Sequence, residues 1–272
     1  MSSLNVLAFG ASRNIGYLST LRLLEQGATV TLLLRSPSAF DEDAAMQKYV
    51  RSGHARLLKG DATIEADTQR AWDQAGVVDA VIFTIGTYPS FSLTKGFVQT
   101  PANLCTQCIL NVLRTMPTYA NTPQPKIVVL SSTGLGPAAH KALPALFKPL
   151  YGALLANPHR DKMGMEYTIA HCAGWTWDEK VHGKVPDAIM GEDWQKGLPA
   201  RGALRRAVIV RAGFLTDGEC IGDKVQGTGK KGYRVSQKEL GGYTISRKDA
   251  AHFVVTALAT DEFENTRINL TY

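Results

Sequence analysis

The sequence predicts an α/β protein with a doubly wound, mostly parallel sheet, and three observations predict it. Short apolar runs alternate with amphipathic segments of helical period from the first residues onward. A glycine-bearing turn joins the first apolar run to the first helix. Glycine- or hydroxyl-containing loops leave the third, fourth and fifth runs at what would be one edge of the sheet. Alternation of this kind implies right-handed crossovers with helices on both faces, and ligands gathered outside the carboxyl ends of the strands.

Residues 5–9 form the first strand, which ends at Gly10. Residues 15–26 follow as a helix, with Leu18, Leu21 and Leu24 at core spacing and Gly27 where a left-handed cap belongs. Residues 29–34 are a second buried strand and 38–50, after Pro37, a helix. The third strand spans 55–58, with a helix at 64–72, and the fourth spans 77–83, with a helix at 103–116. Residues 126–130 are the fifth strand, about 146–173 a long helical segment broken near Pro158, and 207–210 the sixth strand.

The stretch from 174 to 205 breaks the alternation. It holds Trp175, Trp177, Trp194, Pro186 and Pro199 without a clear period. So long an irregular stretch is usually a lid or a substrate-binding insertion. Its tryptophans either anchor a surface loop to the core or form an aromatic wall beside a substrate. The chain thus reads as one Rossmann-type domain over 1–272, with a Trp-rich insertion at about 174–205 and a small substrate-binding portion at about 212–245.

Composition narrows the function classes. At 272 residues, 44% hydrophobic and 20% charged, the chain is ordinary globular material. No apolar run approaches the ~18 to 20 residues of a membrane span, and the N-terminus lacks the pattern of a signal peptide. The net charge of +6 is spread along the chain, with dense basic patches only at 201–206 and 230–234. Nucleic acid is therefore not an expected partner, whereas a phosphorylated small molecule is. Four cysteines, Cys105, Cys108, Cys172 and Cys220, suit a reduced, cytoplasmic setting. Cys105 and Cys108 form a CxxC within an apolar run and are either core thiols or a redox or metal pair. No second pair stands at zinc spacing, and no metal is expected.

The first loop, Gly10-Ala11-Ser12-Arg13-Asn14-Ile15-Gly16, is the strongest local signal. Gly10 permits the tight turn, and Gly16 permits close packing of the helix. The helix start at Ser12, Arg13, Asn14 and Ile15 offers free N–H groups and a positive dipole end to a pyrophosphate. A glycine turn without ligand is the alternative. After the second strand, folds that bind NAD carry an acidic residue for the ribose 2′-hydroxyl. Here Arg35 and Ser36 stand there, and no acid appears until Asp41. A guanidinium binds a 2′-phosphate that an acid would repel, and Arg13 closes on it from the other side, so the reading is NADP(H). Arg35 also fits an ordinary exposed strand-end cation. Asp61 and Ala62, after Gly60, are placed to meet the adenine edge, and Thr84 and Gly86 to wall the cofactor. Ser131 and Ser132 can bond a substrate oxygen or cap a turn.

These residues resemble the short-chain dehydrogenase/reductase superfamily in its atypical, NmrA-like branch. The match lies in Gly10 to Gly16, Gly60-Asp61, the 128–134 strand end and Val210-Arg211-Ala212-Gly213-Phe214-Leu215. The last is similar to the family's VRPGxL, and Ile245-Ser246-Arg247-Lys248-Asp249-Ala250-Ala251 is similar to its ISRxDVA helix start. The resemblance covers most of the chain except the Trp-rich stretch. It implies a Ser and a Tyr-x-x-x-Lys pair after the fifth strand, the lysine bonding the nicotinamide ribose.

Two departures stand out: Arg13 occupies the place of the fingerprint's third glycine, and Pro158 that of the tyrosine. Lys162 sits where the lysine belongs. Tyr151, eleven residues earlier, lies about 16 Å away along a straight helix. His159 shares a helix face with Lys162, roughly 5–6 Å off, and an imidazole titrating near neutrality can act as general acid. A similar replacement marks the flavin/biliverdin reductase relatives, while isoflavone reductase-like relatives rely on a lysine. His159 also fits an exposed helix-start residue, and Lys162 a surface lysine paired with Asp161 or Glu166.

The sequence therefore points to an NADP(H)-dependent reductase of a small apolar or aromatic carbonyl or enone. Lys162, His159 and Ser131 or Ser132 would carry the chemistry, with the insertion and the 228–243 loop closing over the substrate. A cofactor-sensing regulator without turnover and a non-redox isomerase or cyclase remain as alternatives, and a homodimer is left open.

Overall fold

The computed structural model describes residues 4–86, 90–92, 96–98, 100–118, 122–142, 145 and 156–272. In chain order the first half contains β1 (Asn5–Phe9), α1 (Asn14–Glu25), β2 (Thr29–Leu34), α2 (Ala44–Arg51), β3 (Ala55–Lys59), α3 (Glu65–Ala75), β4 (Ala80–Phe83), β5 (Ser90–Ser92), β6 (Gly96–Val98) and α4 (Leu104–Arg114). There follow β7 (Lys126–Ser132), α5 (Gly136–Ala142), α6 (Ala156–Ala173), α7 (Glu179–His182), α8 (Asp187–Met190), β8 (Ala207–Ala212), β9 (Phe214–Thr216), α9 (Ile221–Val225), β10 (Arg234–Ser236), β11 (Thr244–Ser246), α10 (Arg247–Ala259) and β12 (Thr266–Thr271).

Among the described residues eight strands form one sheet in the order β10-β12-β8-β7-β4-β1-β2-β3. All neighbours are parallel except β10, which runs antiparallel to β12 at the edge. The strand order reverses between β1 and β4, where a crevice opens at the carboxyl ends. The doubly wound α/β fold read from the sequence is thus borne out.

Both faces of the sheet are covered, which is why the central strands β1, β4, β7 and β8 are mostly apolar runs rather than alternating. Val6, Ala8, Val128, Val208 and Val210 face one core with Leu23 of α1 and Phe253 and Val254 of α10. Leu7, Phe9, Ile127, Val129 and Ile209 face the other, with Trp72 of α3, Ile109 of α4 and Met165 and Ile169 of α6.

Helices α4 and α6 are locked by one carboxylate. Asn103, before α4, makes no side-chain cap. Fully buried Asp161 of α6 supplies it instead, accepting from the backbone N–H groups of Cys105 and Thr106 at 2.8 Å each. Thr106 Oγ1 answers by donating to the Asp161 carbonyl at 2.7 Å. A carboxylate at a helix N-terminus meets both the unpaired donors and the positive dipole end.

Three departures from the sequence reading have local causes. The helix expected at 38–50 is two pieces, a 3-10 turn at Pro37–Phe40 and then α2, because Asp43 caps a fresh helix by accepting from Met46 N at 2.9 Å. Helix α6 runs through Pro158 unbroken, since a proline in the first turn lacks only an N–H that has no intrahelical partner. The expected stretch at 146–155, with Tyr151, lies outside the described residues. Strand β12 was not legible as an apolar run because Arg267 and Asn269 interrupt it.

The tryptophans of 174–205 pack onto the body. Arg267 of β12 lies over the rings of Trp175 at 4.7 Å and Trp177 at 5.5 Å. Trp177 and Trp194 sit 5.1 and 5.4 Å from Tyr167 of α6, and Trp194 lies 5.1 Å from His171. These contacts are those the anchoring alternative expects.

Asp161→Ala would leave two buried N–H donors without a partner at the start of α4. Loss of the cap and of its desolvated partners should cost about 2–4 kcal/mol. Urea denaturation should show a lower midpoint with an unchanged m-value, and an unchanged midpoint would contradict the capping role.

Candidate active site

A cavity of about 460 Å³ opens at the carboxyl ends of β1, β2, β4, β7 and β8. It is lined by Gly10, Ser12, Arg13, Asn14, Ile15, Gly16, Arg35, Asp61, Ala62, Thr84, Gly86, Ser131, Ser132, His159 and Lys162. These are the residues singled out in the sequence, with one exception. Ser36 is exposed at the start of the 3-10 turn and is not part of the lining.

The glycine loop has no room for side chains at its ends. Gly10 has φ +83°, and a Cβ there would lie 2.5 Å from the Ile85 nitrogen. At Gly16 a Cβ would lie 2.5 Å from the Gly10 carbonyl and collide with Thr84 Oγ1. Thr84 Oγ1 in turn reaches the Phe9 and Gly10 carbonyls, 3.2 Å from each, tying the end of β4 to the turn. Arg13 needs no glycine, because at φ −164° and ψ 172° it is extended backbone that any residue adopts. Asn14 takes the left-handed φ of +51°, a conformation that asparagine tolerates best among side-chain-bearing residues.

After β3, Asp61 Oδ1 accepts from Thr63 N at 2.9 Å and from Thr63 Oγ1 at 2.8 Å. Asp67 accepts from Asp61 N at 2.8 Å and pairs with Arg70 at 2.7 Å. The loop after β3 is therefore held by its own side chains.

Lys162 is not a surface lysine. Its Nζ donates to the Leu130 carbonyl at 3.1 Å, and among the described residues it forms no ion pair. Both carboxylates that the sequence offered it are committed elsewhere, Asp161 to α4 and Glu166 to a buried network. Glu166, fully buried, accepts from Ser131 Oγ at 2.6 Å and from Arg211 Nη2 and Nε at 2.6 and 3.0 Å. Burial alone would raise the Glu166 carboxyl, but Arg211 and Ser131 hold it below the usual range. An ionised carboxylate only accepts, so Ser131 spends its single proton on Glu166 and presents lone pairs to the cavity. Ser132 Oγ donates to the Thr133 carbonyl at 3.1 Å, so each hydroxyl expected to bond a substrate oxygen has a protein acceptor.

His159 departs from both sequence readings. It is buried rather than exposed, and burial, with the charges of Lys162 and His140, pushes its pKa down to about 4. It is therefore a neutral imidazole at neutral pH, not a group titrating there.

Cys105 also lines the cavity, with Sγ 3.4 Å from the Ile85 carbonyl. Burial raises the thiols of Cys105 and Cys108, so both stay protonated, as core thiols do. Among the described residues no group of three His, Cys, Asp or Glu could hold a metal ion.

On the far side Ala212, Gly213, Leu215 and Arg247 complete the lining. None of the described lining comes from 174–205 or 228–243, so the closing role expected of those stretches has no support in the cavity. Arg247 was not read as a site residue, although its motif was visible. Arg211 was likewise visible within its motif, but nothing in one sequence pairs it with Glu166.

Residues 10–193 match the model of the NAD(P)H-binding family. The chain is similar to the reductase pytE of Aspergillus terreus, 26% identical over 266 residues that cover 92% of this chain and 90% of the relative. Among solved structures it is similar to ChuY, an anaerobillin reductase from Escherichia coli, with TM-score 0.57 and 17% identity over 98% of this chain and 96% of that one. A short-chain dehydrogenase from Burkholderia cenocepacia in complex with NADP gives TM-score 0.59 and 15% identity, again over 98% and 96%. The fold implied by the superfamily resemblance is borne out.

The buried imidazole makes stability depend on pH. His159 gains its proton near 6.5 when unfolded but only near 4 when folded, so the folded state binds fewer protons between those values. Stability is whole above pH 6.5 and falls as pH drops toward 4. At pH 4.5 the loss from this group is about 2–3 kcal/mol. Urea denaturation at pH 7.5 and 4.5 should show His159→Gln losing less than the parent by about that amount. Equal losses would mean that the ring is solvated.

Proposed function

The chain belongs to the NAD(P)H-binding family, and from that premise we propose that it is an NADP(H)-dependent reductase of a small apolar or aromatic carbonyl or enone. One observation carries the proposal: Arg35, the glycine loop and Lys162 line a single cavity across the β1/β4 crevice. The absent Cβ atoms at Gly10 and Gly16 and the N-terminus of α1 fit a pyrophosphate. Arg13 and Arg35, with no acid after β2 before Asp41, fit a 2′-phosphate. The names of pytE and ChuY as reductases agree with this reading.

When bound, the dihydronicotinamide supplies the hydride. The rest falls to this chain. Lys162, held by the Leu130 carbonyl, bonds the ribose and faces the negative charge that develops on the substrate oxygen. Ser132 adds a hydrogen bond to that oxygen. The neutral ring of His159 offers a hydrogen bond rather than a readily surrendered proton, so the proton comes from the Lys162 ammonium or a water that it holds. Leu130, Ala212 and Leu215 provide the apolar lining that excludes water. The four cysteines are buried and unpaired, which suits the reducing cytoplasm.

The missing tyrosine and the low pKa of His159 favour one competing reading, a regulator that binds NADP(H) without turnover. Stopped assays with NADPH and a panel of quinones, enals and aromatic ketones separate the two. Tight binding with no oxidation across the panel would favour the regulator.

Two substitutions test the assignments. Arg35→Asp should weaken NADPH by about ten- to a hundredfold and leave NADH unchanged or improved, measured by quenching of intrinsic fluorescence. An unaltered preference would refute the role given to the end of β2. Lys162→Met should lower kcat/KM by about a hundredfold while NADPH affinity moves far less. Comparable losses in both would reduce Lys162 to a cofactor contact.

A further inference from the structure

We infer that the substrate carries a carboxylate and that Arg247 receives it, so that the reductase proposed above acts on an apolar or aromatic oxo acid. The inference rests on that reading and deepens it.

Four cations line the cavity: Arg13, Arg35, Lys162 and Arg247. The one carboxylate in the lining among the described residues is Asp61, whose Oδ1 is already held by Thr63. Arg13 and Arg35 suffice for the phosphate on the adenosine ribose, and Lys162 for the nicotinamide ribose and the reacting oxygen. Arg247 is the cation that the cofactor leaves over.

Its place in the sheet agrees. Arg247 directly follows β11, which pairs with β9, the continuation of β8. In the order β8-β7-β4-β1, β8 lies three strand intervals from the glycine loop on β1, about 14 Å at the usual spacing. Arg35, at the end of β2, lies on the opposite side of the crevice. The neighbouring lining, Ala212 and Leu215, is apolar.

The start of α10 is also held rigidly. Ser246 Oγ accepts from Asp249 N at 2.9 Å. The fully buried Asp249 carboxylate accepts from Tyr272 Oη at 2.6 Å and from Gly222 N and Ile221 N at 2.7 and 3.1 Å. Ser246 and Asp249 of the ISRxDVA-like motif thus fix the backbone on either side of Arg247, which is among the residues lining the cavity. Its ion-pair partner among the described residues is Asp217, at 2.6 Å. Asp217 is 88% exposed, so the pair is weak and most of the guanidinium donors remain for a ligand. A carboxylate held within the cavity is less screened and can be bound bidentately.

Calorimetry on the full chain saturated with NADP⁺ tests this, with 2-naphthoate and its neutral isostere 2-naphthamide as probes. Naphthoate should bind at least about tenfold tighter than the amide. Arg247→Met should erase that discrimination, Arg247→Lys should keep part of it, and NADP⁺ affinity should stay within about threefold in both. The inference is overturned if the parent does not prefer naphthoate or if the preference survives in Arg247→Met. It is equally overturned if NADP⁺ affinity falls tenfold or more with Arg247→Met, since the guanidinium then serves a cofactor phosphate. Failure of the reductase reading registers separately, as NADPH binding without oxidation across the carbonyl panel; if NADP⁺ does not bind at all, the acid–amide comparison is made on the cofactor-free chain.

Discussion

The close approach of the first loop to the end of β4 governs the architecture around the cavity. Gly10 lies against the backbone of Ile85, and Gly16 lies against Gly10 and Thr84, at distances that no side chain survives. That approach lets α1 start directly over the crevice between β1 and β4, so the positive end of its dipole faces the place where the strand order reverses. Thr84 fixes the same contact from the β4 side by bonding two consecutive carbonyls of the turn. The loops after β2 and β3 can then meet one end of a nucleotide while those after β7 and β8 meet the other.

Beneath the Ser131 and Lys162 side of the cavity the fold commits charge to its interior. Glu166 of α6 and Arg211 of β8 are both nearly inaccessible and bond each other through two guanidinium nitrogens. Removing such a pair from water costs several kcal/mol per ion, so its presence is poor evidence of added stability. Its effect is on Ser131. Between an ionised carboxylate and the cavity, the hydroxyl has one orientation, and the polarity of the site floor is fixed before a ligand arrives. Arg267, stacked on Trp175 and Trp177 and 3.9 Å from Glu166, extends that network to the irregular segment. Trp175 and Trp177 are thereby joined through Arg267 to the Glu166–Arg211 pair.

Legibility in the sequence followed the range of the interactions. The six strands expected from apolar runs are all present, because burial keeps most of their positions apolar, least so in the edge strand β3 with its exposed Arg56 and Lys59. Gly10, Gly16, Arg35 and Lys162 were readable because their roles follow from position within a strand–turn–helix unit. What escaped depends on partners far along the chain. Asp161 caps a helix some 55 residues earlier, and Glu166 answers an arginine 45 residues later. Strand β12 escaped because Arg267 and Asn269, which mark it as solvent-facing in sequence, find their places only once α6 and the tryptophans are assembled. The pKa of His159 was misjudged for the same reason. Its burial is a tertiary property, and an i,i+3 spacing to Lys162 says nothing of the medium between them.

Burial first, and the nearby lysine second, keep His159 neutral. Two cations on one helix face within a low-dielectric cavity oppose each other, and the group whose charge is cheaper to lose gives way. His159, buried and beside Lys162, gives way and stays neutral. Lys162 keeps a carbonyl as its partner and no counter-charge among the described residues, so its field is spent on the cavity and not on the protein. A tyrosine one turn before the lysine would need that same field to lower its own pKa. With Pro158 in its place, no phenol at that position competes for the lysine, and Lys162 Nζ keeps the Leu130 carbonyl as its partner.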